Sequence, residues 1–128
     1  MNLSIIIPVY NSANSLPSLM ENLNQFFKIN AAQYELILIN DGSRDNSWQV
    51  ISDLCDQHGW IRGINLIRNY GQHNALLCGI RQAKYDVIVS MDDDLQQPPE
   101  EIPKLLDKLN KGYDVVYGTP QKEKHGLR

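Results

Sequence analysis

Three adjacent carboxylates, Asp92-Asp93-Asp94, follow the apolar run Val87-Ile88-Val89 and precede Leu95-Gln96-Gln97-Pro98-Pro99. Neighbouring like charges repel, so the triplet needs a compensating reason. In an extended segment the side chains of Asp92 and Asp94 project the same way. Two carboxylates so placed can share a hard divalent cation with oxygen ligands, and that cation can bridge to a diphosphate. The plainer explanation is an acidic surface turn favoured by the dipole of a following helix. Position favours the chemical reading: the triplet closes a strand-like run, at the edge where open α/β sheets bind ligands. Asp93 has no role in this scheme.

The other strand ends carry weaker signals. Pro8-Val9-Tyr10-Asn11-Ser12 follows the first strand. Pro8 is expected to end ladder pairing and Tyr10 to lie against a flat ring, although a capped turn explains the same residues. In Asn40-Asp41-Gly42-Ser43-Arg44-Asp45, Asp41 can accept hydrogen bonds from a base or ribose, but Asp-Gly is also a common turn dipeptide. Arg68-Asn69-Tyr70-Gly71-Gln72-His73-Asn74 leads into a helix, where Gly71 with a nearby arginine suits an anion. His73 reads as a surface or capping residue. No G-x-G-x-x-G is present, so the dinucleotide fingerprint is absent. The basic stretch Lys122, Lys124, His125, Arg128 can close over phosphates or be a solvated charge run.

These positions need elements to hold them. Strands are expected at Leu3–Tyr10, Tyr34–Asn40, Ile61–Leu66, Asp86–Met91 and Asp114–Tyr117. The continuous apolar runs among them suit strands covered on both faces. Helical faces are formed by Leu16, Leu19, Met20, Leu23 and Phe27; by Trp48, Ile51 and Cys55; by Leu76, Gly79, Ile80 and Ala83; and by Ile102, Leu105, Leu106 and Leu109. Pro17 and Pro103 fall in first turns, Asp45 is a candidate N-cap, and Gly112 reads as a helix stop. Five strands interleaved with four helices predict an open, doubly wound, mainly parallel α/β sheet, Rossmann-like in its nucleotide-binding half.

The composition narrows the classes. Twelve basic against fifteen acidic residues give a net charge of −3, with no basic footprint for nucleic acid. Cys55 and Cys78 are too few and too far apart for a disulfide framework or zinc site, and read as small buried hydrophobes. No signal peptide is evident, and no segment approaches the roughly 20 apolar residues that span a bilayer. A soluble, cytoplasmic chain is expected.

Taken together, these residues resemble glycosyltransferase family 2, with its GT-A fold. Ile5-Ile6-Ile7-Pro8-Val9-Tyr10-Asn11 looks like the family's opening strand, Ile39-Asn40-Asp41-Gly42-Ser43 like its second-strand turn, and Asp92-Asp93-Asp94-Leu95-Gln96 like its DxD motif. Arg68-Asn69-Tyr70-Gly71-Gln72-His73 and the run from Asp94 to Pro103 are similar to the branch that transfers sugars to polyprenyl phosphates. That branch includes undecaprenyl-phosphate sugar transferases and dolichyl-phosphate mannose synthases. Three positions depart from the family pattern: Ser12 where an acid is frequent, Asn40 in place of the first of two acids, and Asp93 where a small residue is common.

The resemblance implies a metal-dependent, inverting transferase that uses a UDP- or GDP-sugar, Mg²⁺ or Mn²⁺, and a polyprenyl phosphate acceptor. Pro8, Tyr10, Asp41 and Gly71 would bind the nucleotide. Asp92 would face the ribose and diphosphate, and Asp94 would ligate the metal with Gln96 close by; Asp92 and Asp94 are thus the candidate catalytic pair. Residues 1–118 would form the donor-binding domain and 119–128 begin a basic loop, the chain stopping short of an acceptor half. Any membrane contact would come through a missing C-terminal part, the catalytic domain facing the cytoplasm. Alternatives are a family member with a sugar hydroxyl acceptor, or a non-catalytic nucleotide- or metal-binding module. A dehalogenase-type phosphotransferase or a receiver domain would need an acid after the first strand, where Pro8-Val9-Tyr10-Asn11 stands.

Overall fold

The structure is a computed structural model that describes residues 2–30, 33–91, 93 and 116–117. Its elements are β1 (Asn2–Val9), α1 (Leu16–Asn30), β2 (Gln33–Asp41), α2 (Ser47–Gln57), β3 (Ile61–Leu66), α3 (Gln72–Gln82), β4 (Val87–Ser90) and β5 (Val116–Tyr117). The strands form one sheet in the order β3-β2-β1-β4-β5, and every pairing is parallel. This is the expected doubly wound architecture. The expected fourth helix, with Ile102, Pro103, Leu105, Leu106, Leu109 and Gly112, lies outside the described residues, as does the basic segment from Thr119.

The apolar runs explain why β1 and β2 are central. Leu3, Ile5, Ile7 and Val9 face α1 and α2 together with Leu36 and Leu38, while Ile6, Ile37 and Ile39 face α3. Both faces are therefore buried, as a parallel sheet requires. The expected face of α1 is buried throughout: Leu16, Leu19, Met20, Leu23 and Phe27. Phe27 stacks on Tyr34 at 4.4 Å and meets the edge of Trp60 at 5.4 Å. On the opposite face Gly79 lets α3 lie close to the sheet, since a Cβ there would stand 2.5 Å from Ile6 Cγ2 and 2.6 Å from Ile39 Cδ1.

Pro8 corrects a simple expectation. It does not end pairing with β2, where the register runs on through Pro8↔Ile39 and Val9↔Asn40. Pairing with β4 does stop, at Ile6↔Ser90, with Met91 N donating to Ile6 O at 3.1 Å. The next bond of a parallel ladder would need the N–H of residue 8, and proline has none.

At the N-terminal edge of the sheet, Glu35 is 2% exposed. Its carboxylate accepts hydrogen bonds from Ser4 Oγ at 2.6 Å, Lys84 N at 2.6 Å and Arg62 Nε at 3.1 Å. Arg62 also donates to the Gln82 carbonyl, so the cluster fastens the end of α3 to the sheet. Burial pushes the Glu35 carboxyl up, but the Lys84 amide, the Ser4 hydroxyl and the Arg62 guanidinium outweigh it and hold the pKa below its ordinary value.

A folded pKa below the unfolded one gives stability that is complete above the unfolded value and is lost as pH falls through the folded one. Acid unfolding of the parent chain should therefore steepen below about pH 4.3, and Glu35→Gln should flatten that dependence. Glu35→Ala should cost about 1–3 kcal/mol at pH 7 by leaving buried donors unpaired. Arg62 is 40% exposed, so its ion pair adds little. Urea denaturation across pH checks both; identical pH profiles for parent and Glu35→Gln would remove Glu35 from acid stability.

Candidate functional site

The strand order switches between β1 and β4, and the C-terminal edge at such a switch point is where an open α/β sheet is expected to take its ligand. The β1–β4 ladder stops early there, at Ile6↔Ser90. Pro8 is buried and Tyr10 is 44% exposed. Of the carboxylate triplet, Asp93 is described; Asp92, Asp94 and Gln96 lie outside the described residues.

Asp93 spans this switch point. Its Oδ2 accepts from Tyr10 N at 2.9 Å and from Ser12 Oγ at 2.5 Å, and its carbonyl accepts from Ser15 Oγ at 2.7 Å. The residue without a chemical role in the sequence thus ties β4 to the turn before α1. Two of the three departures from the family pattern, Ser12 and Asp93, are in direct contact.

The turn itself is built from short polar side chains. Asn11 adopts a left-handed conformation (φ 52°), which asparagine tolerates better than most residues. Its Oδ1 accepts from Arg44 N at 2.7 Å. Asn11 N donates to Ser43 Oγ, Ser12 N to Ser47 Oγ and Ala13 N to Asp45 Oδ2, while Ser15 N and Leu16 N donate to Ser12 O. With Tyr10 N on Asp93, the six amides of Tyr10, Asn11, Ser12, Ala13, Ser15 and Leu16 all have acceptors. These six amides are turned toward the protein, and none of them is open to a phosphate.

Asp45 is not the formal N-cap of α2; that position is Asn46, whose side chain makes no cap bond. The Asp45 carboxylate nevertheless accepts from Ser47 N at 2.9 Å and Ser47 Oγ at 2.5 Å. Desolvation would raise its pKa, but the bonds from Ser47 and Ala13 lower it.

Asp41, the expected base contact, is 3% exposed, and its Oδ1 accepts from Tyr70 N at 2.7 Å. It anchors the loop between β3 and α3. Asn40 Nδ2 donates to Asn65 Oδ1 at 2.8 Å, a second link between the ends of β2 and β3. Gly71, with φ +99°, occupies the N-cap of α3, where no atom would meet an added Cβ. A ligand could approach its backbone closely. Arg68 lies over the Tyr70 ring at 5.1 Å. An open cavity of about 390 Å³ lies against this loop and α3, lined by Asn65, Leu66, Ile67, Tyr70, Asn74 and Cys78. The structure thus gathers Pro8 and Tyr10 at one strand end and Asp41 and Gly71 near the next.

No group of three or more His, Cys, Asp or Glu is placed to hold a metal among the described residues. Cys55 and Cys78 are free and half-buried rather than fully buried. Burial, then the Asp56 charge, pushes the Cys55 thiol up, away from nucleophilic chemistry. His73 is exposed in the first turn of α3. The serine-rich turns were the one sequence signal for the network that fixes the site, and it shows only once Ser12, Ser43, Ser47 and Asp93 are brought together.

A model of glycosyl transferase family 2 matches residues 4–128. The undecaprenyl-phosphate 4-deoxy-4-formamido-L-arabinose transferase of Pseudomonas fluorescens (strain SBW25) is 48% identical over 114 residues, covering 88% of this chain and 33% of that protein. The enzyme of the same name from Proteus mirabilis (strain HI4320) is 44% identical over 122 residues, covering 94% of this chain and 37% of that protein. The chain thus spans about a third of the length of the curated relatives it matches. Among solved structures, a mannosyltransferase from Pyrobaculum calidifontis in complex with GDP-Man and Mn²⁺ superposes with a TM-score of 0.75 at 18% identity, over 87% of this chain and 33% of that one. Glucosyl-3-phosphoglycerate synthase from Mycobacterium tuberculosis in complex with UDP gives 0.69 at 21% identity, over 87% and 40%. The fold is GT-A.

The β3–α3 loop reaches its place only because residue 42 is glycine. Gly42 has φ +70°, and a Cβ there would stand 2.3 Å from Asn69 N and 2.4 Å from Arg68 C, both backbone atoms. Gly42→Ala is expected to cost about 1–3 kcal/mol from conformational strain, and to displace the loop. Urea denaturation measures the first and the chemical shift of the Tyr70 amide the second; a variant with parental stability and an unmoved Tyr70 signal would contradict this packing.

Proposed function

The chain belongs to glycosyl transferase family 2, and from that premise we propose that it is the donor-binding part of an inverting enzyme that moves a sugar from a UDP- or GDP-sugar to a polyprenyl phosphate. The observation that carries the reading is the switch in strand order between β1 and β4, with a carboxylate triplet following β4. The acceptor class is drawn from the relatives whose names specify undecaprenyl phosphate.

In this reading Pro8 and Tyr10 support the nucleobase from the end of β1. Asp41 keeps the β3–α3 loop in position and offers an acceptor to the base. Gly71 admits the nucleotide close to its backbone. Asp92 is assigned to the ribose and diphosphate side. Six amides of the turn before α1 are already occupied, and we assign the diphosphate charge to a metal ion. The Asp94 carboxylate and Gln96 amide are oxygen donors, which suit Mg²⁺ or Mn²⁺. When bound, such an ion neutralises charge on the departing diphosphate as a Lewis acid.

A lipid phosphate acceptor makes a strong general base less necessary. A phosphate monoester has a second pKa of about 6 and is largely dianionic at neutral pH, so it can attack unaided, whereas a sugar hydroxyl would need its proton removed. Among the described residues no helix is long and apolar enough to cross a membrane. We assign the catalytic domain to the cytoplasmic face and any membrane contact to other parts of the protein. Donor binding, not efficient transfer, is the property expected of these 128 residues.

Calorimetric titration of UDP- and GDP-sugars, with Mn²⁺ and with EDTA, tests the assignment. Binding of one nucleotide class should tighten at least about tenfold with Mn²⁺, a gain of about 1.4 kcal/mol, and Asp94→Ala should abolish that gain. Binding that ignores both Mn²⁺ and Asp94→Ala would overturn the role given to Asp94. Rapid sugar transfer by this chain alone would overturn its restriction to donor binding.

A further inference from the structure

Beyond the last ladder bond, Met91 N to Ile6 O, the ends of β1 and β4 are held by side chains. Asp93 supplies that hold. Its carboxylate takes a backbone amide from one end of the turn, Tyr10 N, and a hydroxyl from the middle, Ser12 Oγ. Its carbonyl takes Ser15 Oγ, one residue before α1. These contacts bridge 78 to 83 positions of sequence, so they are tertiary and not incidental to a local turn. The carboxylate meets two donors of the turn, the Tyr10 amide and the Ser12 hydroxyl, four to six residues before α1. Both its contacts and its placement make it a clasp.

We propose that Asp93 is a positioning residue: its carboxylate fixes the turn carrying Tyr10 against the end of β4, and so preforms the switch point for a nucleoside diphosphate independently of any cation. The proposal rests on the nucleotide-binding reading of the switch point. It separates the three aspartates by task, giving Asp93 to the protein and leaving Asp92 and Asp94 to the ligand side. Losing the clasp frees Tyr10 and Ser12 and makes binding restore their order. The deficit is therefore the same with and without metal.

The test is titration of UDP and of GDP, each with Mn²⁺ and with EDTA, for the parent chain, Asp93→Ala, Asp93→Asn, Ser12→Ala and the Asp93→Ala/Ser12→Ala pair. Proton exchange of the Tyr10 amide is followed by NMR in the ligand-free proteins. Asp93→Ala should weaken the preferred nucleotide about tenfold, the scale of a hydrogen bond to a charged group, by the same factor in Mn²⁺ and in EDTA. Ser12→Ala should lose less, the pair should lose no more than Asp93→Ala alone, and Asp93→Asn, which keeps an acceptor, should recover most of the affinity. Tyr10 exchange should accelerate in Asp93→Ala. A deficit confined to Mn²⁺ would make Asp93 a metal ligand and overturn the proposal. So would unchanged affinity with only a lower melting temperature, or Tyr10 exchange that ignores Asp93→Ala. Failure of the parent chain to bind either nucleotide overturns the reading of the switch point itself, whatever Tyr10 exchange shows.

Discussion

The missing N–H of Pro8 shapes the rest of the site. One absent donor ends the β1–β4 ladder while leaving β1–β2 intact, because alternate residues of a parallel strand bond to opposite neighbours. The strands that flank the topological switch point therefore separate one step early. The opening falls where an α/β sheet collects its ligands, and the carboxylate of Asp93 reconnects what the proline released. The backbone ladder ends, and a side chain joins the two segments beyond it.

Around that point the chain spends its polar groups on itself. The side chains of Ser43, Ser47 and Asp45 accept the amides of Asn11, Ser12 and Ala13 on the way into α1, and Asn11 accepts the Arg44 amide in the turn entering α2. Together these bonds join the turn after β1 to the turn before α2 and favour one conformation of both. The amides of Tyr10, Asn11, Ser12 and Ala13 are thereby occupied, in contrast to folds that bind phosphate on open helix amides.

Much of the fold was legible because its strongest signal is local. Continuous aliphatic runs marked β1, β2 and β4 as buried on both faces, and the period of α1 matched its buried side chains residue for residue. Strand ends slipped by a residue or two where apolar character and pairing part company: Tyr10 and Met91 are apolar enough for a strand but lie past the last ladder pair. Pro8 was legible as a breaker, but which side it broke depends on strand order. Asp93 was illegible because its partners lie some eighty residues away, and Asp41 because its first partner, the Tyr70 amide, belongs to another loop. Local pattern located the edge where chemistry belongs; the division of labour among the acids there is a tertiary property.

The central claim is that the switch point between β1 and β4 is a nucleotide site whose protein wall is already in place. A crystal structure of the chain with UDP or GDP and Mn²⁺ tests it most directly. The account predicts the nucleotide between the ends of β1 and β4, its base beside Tyr10 and Asp41, with the Asp93 contacts to Tyr10 and Ser12 retained. A nucleotide bound elsewhere, such as the N-terminal edge near Lys84, or one that displaces Asp93 from the turn to reach it, would contradict it.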